Sequence, residues 1–166
     1  ATAGVPADMR FVPLLPGRNV IAARAGHPLM RRSTITLADI EPFPWIAPPP
    51  DSPLYRDLQR ALKSIGKDEF RVSFSGGTPA SIISVLSGSD ALTVLPYSVV
   101  FLTRKAMGLD ALRLRIEHPD RQLGMLTHDG ATPTPALRQF AGFLTDEFAL
   151  LEARIQHESQ VTQRRG

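Results

Sequence analysis

The sequence predicts an α/β protein with mostly parallel sheets and flanking helices. Two observations carry that class. Between Pro44 and Ile116, short apolar runs alternate with longer amphipathic ones, the repeat of βαβ units joined by right-handed crossovers. The run Ala91–Leu95 is almost wholly apolar, as expected for a strand covered on both faces. The 15 prolines and 12 glycines punctuate these runs, so the elements can be read in order.

Phe11–Leu15 and Asn19–Ala25 read as strands separated by the turn Pro16-Gly17. Thr36 can cap a helical turn over Leu37–Ile40, with Asp39 three residues on as a capping box. Pro44–Ala47 reads as a buried strand with Trp45 in the core, and the stiff run Pro48-Pro49-Pro50 follows. Pro53–Ile65 reads as a helix, because Leu54, Leu58, Ala61, Leu62 and Ile65 share one face and Gly66 can stop it. Arg71–Ser75 is a strand with Val72 and Phe74 on one side. The loop Gly76-Gly77 leads into a helix over Pro79–Ser87, and the strand Ala91–Leu95 follows. Tyr97–Met107 is a helix ended by Gly108. Leu112, Leu114 and Ile116 alternate with Arg113 and Arg115 and predict another strand. Leu123–Thr127 is a strand closed by the turn Asp129-Gly130. The last helix, Pro135–His157, carries an apolar stripe from Leu137 to Ile155.

A chain of 166 residues, 43% hydrophobic, can fold on its own core. Without cysteine it has no disulfides, thiolate metal sites or cysteine nucleophile. The net charge of +3 comes from the start: Arg10, Arg18, Arg24, Arg31 and Arg32 face only Asp8 within residues 1–35. That excess lies in a strand-rich segment without a helix-turn-helix pattern, so it reads as scattered solvated arginine rather than a duplex-binding face. The longest apolar stretch, Ala91–Leu102, is broken by Thr93, Pro96 and Ser98 and is too short to span a bilayer. The chain begins with Ala and shows no basic-then-apolar leader, so it reads as processed or cut from something longer.

Three helices open on a hydroxyl residue followed by proline: Ser52-Pro53, Thr78-Pro79 and Thr134-Pro135. The bland reading is helix initiation, a hydroxyl N-cap with proline at the first helical position. Ser52 and Thr78 carry a second reading, because each follows a strand directly. Strand-to-helix turns leave backbone N–H groups and a positive dipole end open to a carboxylate or phosphate. The loop Ser75-Gly76-Gly77-Thr78 would let a small anion approach the backbone, but no Gly-Lys-Ser/Thr follows, so it is not a nucleotide phosphate loop. Catalysis finds no support. His27, His118, His128 and His157 lack metal-ligand spacing, no nucleophile elbow exists, and Glu117–Asp120 reads as a charged turn. The expectation is no enzyme, no catalytic residue, no metal and no cofactor.

Several segments are then familiar. Val20-Ile21-Ala22-Ala23-Arg24-Ala25-Gly26-His27-Pro28-Leu29 resembles the strand and Gly-His-Pro-Leu signature of LysR-type transcriptional regulators. Ile35–Ile40 is similar to that family's short Leu-x-Asp-Leu turn, and Phe43–Ile46 to the strand after it. Ser89–Pro96 resembles its strand ending in Leu-Pro, and Thr134–Phe140 its terminal helix. All five occur in order between about Phe11 and Leu150. Ser87-Gly88-Ser89-Asp90 departs from the glycine-rich sequence common before the Leu-Pro strand.

The resemblance implies a periplasmic-binding-protein-like (type 2) effector domain with two subdomains. Residues 30–121 would form the second, and residues 1–29 with 122–166 an incomplete first. The chain would cross between them near Arg24–Gly26 and Leu123–Leu126. The effector, a small carboxylate or other small anion, would lie between subdomains against Pro49, Ser52, Ser75, Gly77, Thr78 and Gly124. The domain would self-associate, as a dimer or as a tetramer in the full-length regulator. DNA would be bound only through an N-terminal winged helix-turn-helix absent from this sequence. The setting would be cytoplasmic, with no membrane partner. The alternative is a solute-binding protein of a transport system with the same fold, against which the missing leader counts. Unpaired strand edges and the stripe on the last helix predict a homodimer or larger assembly.

Overall fold

The computed structural model describes residues 5–64, 66, 71–75, 77–114, 116, 121–130 and 132–163. The chain divides into two compact units: Arg18–Pro119, and Ala1–Gly17 with Asp120–Gly166.

The larger unit is built on a three-stranded and a two-stranded sheet that one bridge joins edge to edge. Its strands are β2 (Asn19–Arg24), β3 (Trp45–Ala47), β4 (Val72–Ser75), β5 (Thr93–Pro96) and β6 (Leu109–Ala111). β2 lies between β5 and β6, antiparallel to both. β3 pairs with β4 in parallel. A parallel bridge from Trp45 to Leu92 joins β3 to β5, with the Ile46 N–H on the Leu92 carbonyl at 2.8 Å. The order is therefore β4-β3-β5-β2-β6. β3, β4, β5 and β6 run the same way, and β2 alone runs against them. Four of the five strands share a direction, as the βαβ repeat implies, while both pairings of β2 are antiparallel, so the sheet is mixed.

Helices α1 (Leu37–Ile40), α2 (Pro53–Ser64), α3 (Pro79–Ser87) and α4 (Tyr97–Met107) supply the connections. Alternation along β2 sends its side chains to opposite faces. Ile21 and Ala23 pack with Leu58, Ala61 and Leu62 of α2, and with Trp45 and Val94. Val20 and Ala22 pack with Ile82 and Leu86 of α3 and Val100 of α4. Trp45 is fully buried, as its place in an apolar strand implies. α1 begins as expected: the Asp39 carboxylate accepts from the Thr36 N–H at 2.8 Å.

Two differences from the sequence reading are instructive. The described residues of the alternating segment Leu112–Ile116 form no strand. The strand is Leu109–Ala111, which starts directly after Gly108 ends α4 in a left-handed turn at φ 60°. There the Ala25 N–H reaches the Gly108 carbonyl at 2.6 Å and zips β6 onto β2. The Leu112 N–H still donates to the Ile21 carbonyl at 2.8 Å, one residue past β6. Leu112 and Ile116 are buried and Leu114 packs against them, so beyond Leu112 the alternation reports burial rather than pairing. The second difference concerns the chain's passage between units. It falls at residues 17 and 18, ahead of the Arg24–Gly26 crossing implied by resemblance, because all of β2 is hydrogen-bonded within the larger unit. Ile65, Arg115 and the turn Glu117–Asp120 lie outside the described residues.

The smaller unit is a two-stranded antiparallel ribbon of β1 (Met9–Pro16) and β7 (Gln122–His128), with α5 (Pro135–Gln163) against β1. The Gly17 N–H donates to the Arg121 carbonyl at 2.7 Å and the Asp129 N–H to the Asp8 carbonyl at 2.8 Å, closing the ribbon at both ends. The helix runs six residues past the predicted stop at His157.

Candidate functional site

The site begins with the β3–β4 pair. Ala47 and Ser75 are partners in register, so the two strands end side by side. The chain leaves each strand through a short turn into a helix, at the carboxyl ends where α/β sheets place ligands.

Beyond β3, the Pro49 carbonyl accepts from the Ser52 N–H at 2.9 Å, forming the turn that aims α2. Pro49 itself is exposed and Ser52 half-buried. Ser52 is the cap: its Oγ accepts from the Tyr55 N–H at 3.1 Å. Beyond β4, Gly77 holds φ at +88°, and a Cβ there would collide with the Ser81 hydroxyl. Only glycine suits both conditions. Thr78 then caps α3, its Oγ1 accepting from the Ser81 N–H at 3.3 Å. Thr134 does the same for α5, accepting from the Leu137 N–H at 3.3 Å. All three hydroxyl-proline pairs are therefore helix caps.

Capping leaves different chemistry at Ser52 and Thr78. The Ser52 Oγ accepts one N–H and its O–H can still donate, whereas the Thr78 O–H donates to the Ser81 Oγ at 3.5 Å and must turn from it to meet a ligand. Proline at the first helical position removes one donor, so Leu54 and Ala80 bring the next backbone N–H groups. Ser52, Ser75, Gly77 and Thr78 thus share one edge of one sheet, an edge that offers donors and a positive helix dipole. Gly76 lies outside the described residues.

Gly124 belongs to the smaller unit, opposite Pro13 in the β1–β7 ladder. A Cβ on it would meet the Val12 carbonyl and stand 2.5 Å from the Phe11 ring. Its small size is needed by the ribbon itself.

Two polar arrangements escaped the sequence reading. The first centres on His27, which has no exposed surface. Its Nδ1 accepts from the Leu29 N–H at 3.1 Å and its Nε2–H donates to the Asp90 carbonyl at 3.2 Å. Both nitrogens are used only if the ring is neutral. Burial, the largest influence, holds its pKa below the ordinary value, although the Asp90 contacts oppose this. Beside it the Arg24 guanidinium pairs with the Asp90 carboxylate at 2.7 Å. The Gly-His-Pro-Leu segment is thus a turn tied to the loop before β5. The second arrangement is Asn19 with Asp57, whose side chains meet at 3.2 Å in a buried contact. Asp57 falls on the apolar face of α2 between Leu54 and Leu58, an irregularity that the helical pattern displays. At α1, the Thr36 N–H and hydroxyl hold the Asp39 carboxyl below its usual range.

Among the described residues, no group of three or more His, Asp or Glu is placed to hold a metal ion, and no helix is long and apolar enough to cross a membrane.

Comparison with known proteins agrees with this architecture. The family model described as "LysR substrate binding domain" matches residues 2–149, and the chain belongs to that family. The family is one of transcriptional-regulator effector domains with a periplasmic-binding-protein-like α/β fold, and its members are not classed as enzymes. Similar solved structures include a putative transcriptional regulator from Vibrio parahaemolyticus, at 16% identity and TM-score 0.71, covering 90% of this chain and 69% of that one. The Synechocystis PCC6803 CcmR regulatory domain in complex with 2-PG shows 19% identity and TM-score 0.67, covering 89% and 70%. The effector binding domain of QuiR in complex with shikimate shows 16% identity and TM-score 0.63, covering 90% and 68%. No curated protein sequence gives a significant match.

Proposed function

We propose that this chain is the effector-sensing and oligomerisation domain of a cytoplasmic LysR-type transcriptional regulator. It binds a small organic anion and thereby controls DNA binding by a winged helix-turn-helix elsewhere in the full-length regulator. It catalyses no reaction. The observation that carries this is the side-by-side ending of β3 and β4, which delivers two hydroxyl-capped helix starts to one sheet edge. Pro49, Ser52, Ser75, Gly77 and Thr78 of the larger unit hold the ligand. That CcmR and QuiR domains were solved with 2-PG and shikimate supports a small-molecule ligand here.

Titration with shikimate and with sulfate, followed through backbone amide resonances, tests the reading. Saturable shifts at Ser52, Leu54, Thr78 and Ala80 are expected. Thr78→Ala should weaken the interaction about fivefold, the worth of one hydrogen bond, and cost the fold about 1 kcal/mol as a lost cap. Shifts confined to other residues overturn the site. Light scattering at tens of micromolar tests self-association: a dimer or larger species is expected, and a compact monomer overturns it.

A further inference from the structure

Asn19 of β2 and Asp57 of α2 make a buried side-chain-to-side-chain hydrogen bond that joins a helix to the sheet. The Asp57 side chain is only 4% exposed, with the Arg60 guanidinium 3.5 Å away on the next turn of α2. A buried carboxylate is a poor way to gain stability, since apolar residues of similar volume often serve as well or better. Its value is direction. The contacts of Leu58, Ala61 and Leu62 with β2 are apolar and do not fix how far α2 slides along the sheet. A hydrogen bond does fix it.

The far end of this bond is itself anchored. Asn19 opens β2 opposite Pro96 in the ladder. Next to it, the Arg18 carbonyl accepts from the Tyr97 N–H at 2.8 Å, and the Arg18 guanidinium lies 5.0 Å from the centre of the Tyr97 ring. The start of β2 is therefore a fixed reference, one residue beyond the passage from the smaller unit. Asp57 stands five residues after Ser52, on the turn that follows the cap.

We infer that the Asn19–Asp57 hydrogen bond is a positioning device that sets the first turn of α2, and with it the Ser52 cap, against the start of β2. Asn19 and Asp57 are positioning residues acting through Ser52. The inference rests on the proposed role of Ser52 in effector binding. It adds that ligand contact at the cap is transmitted to the strand by which the chain enters this unit.

The test is hydrogen exchange on the whole chain carrying both Asn19→Leu and Asp57→Leu. The denaturation midpoint should hold or rise. The Tyr55 and Arg56 amides, which bond to Ser52, should exchange at least tenfold faster, while Ala61 and Leu62 amides keep their rates. Asp57→Asn, which retains an oxygen to accept from the Asn19 amide, should restore protection. Unchanged Tyr55 exchange in the double variant overturns the inference. So does a loss of protection along all of α2 in step with stability, which is what a merely structural pair would give. A sulfate titration run beside it separates the two readings. If the unaltered chain binds no anion at Ser52, the functional reading falls, and the exchange result still decides the positioning role.

Discussion

The two units of this chain solve the burial problem in opposite ways. The larger one packs both faces of its sheet, and Trp45, Ile21, Ile46, Leu58, Leu86 and Leu92 have almost no exposed surface. In the smaller unit Leu15 is the one buried hydrophobic side chain among the described residues. Leu123, Leu126, Leu137, Phe140, Phe143 and Leu150 are half or more open, or nearly so. A two-stranded ribbon with one helix is marginal in water by itself. The difference teaches that only the larger unit carries its own core, whereas the smaller one presents an apolar face that calls for cover by further polypeptide.

The sharpest way to break that comparison is to truncate one large side chain in each unit. Trp45→Ala should cost about 3–5 kcal/mol, since it leaves a cavity between β3 and α2. Phe140→Ala should change the stability of the isolated chain by less than about 0.5 kcal/mol, because the residue is 57% exposed. Urea denaturation of the two variants decides it. A comparable loss at Phe140 would mean that the ring is covered in solution, and the contrast between the units would then fail.

The second test sits inside the smaller unit. Gly124→Ala puts a methyl group against the Val12 carbonyl and the Phe11 ring. The Phe11 ring can turn aside, but the Val12 carbonyl is ladder backbone and cannot retreat without opening the β1–β7 pairing. The expected cost is about 1–3 kcal/mol. Hydrogen exchange should place it in residues 9–16 and 122–128, with β2 to β6 unaffected. Loss of protection in the larger unit as well would show that the two units unfold together.

How much of this was legible depended on how local the cause is. The helices could be read because caps and stops are local: Ser52-Pro53, Thr78-Pro79 and Thr134-Pro135 fix three starts, and Gly108 fixes an end. The side-by-side placement of Ser52 and Thr78 was legible too, since the βαβ repeat puts successive strand ends on one edge. Strand partners were harder. Leu112–Ile116 alternates like a strand, but the pairing with β2 ends at Leu112, whose N–H donates to the Ile21 carbonyl at 2.8 Å, and no pattern in the sequence reveals where hydrogen bonds stop. β2 was assigned with the first subdomain on resemblance, and only its pairing with β5 and β6 shows where it lies. Asn19 and Asp57 stand 38 residues apart, so neither announces the other. Asp57 on an apolar helix face was the available signal.

The smallest expected effect probes a buried polar group of the larger unit rather than its apolar core. His27 accepts from the Leu29 N–H and so must stay neutral in the fold, and burial holds its pKa below the ordinary 6.5. The Arg24 cation and the Asp90 carboxylate beside it pull in opposite directions on that equilibrium. As pH falls below 6.5, the unfolded chain takes up a proton that the native ring still refuses. The unfolded state then binds more protons, so stability falls with pH, and it levels off once the native ring also titrates. The contribution is present above 6.5 and is lost through the window beneath it, with a slope of at most about 1.4 kcal/mol per pH unit for one proton. His27→Gln keeps an acceptor and a donor but cannot titrate. Its stability between pH 7 and 5 should lack this component, while the wild-type curve bends downward. Parallel curves for the two proteins would mean that the ring takes up its proton equally in the folded and unfolded chain, so that burial does not hold its pKa down and the Leu29 N–H loses its acceptor as the pH falls.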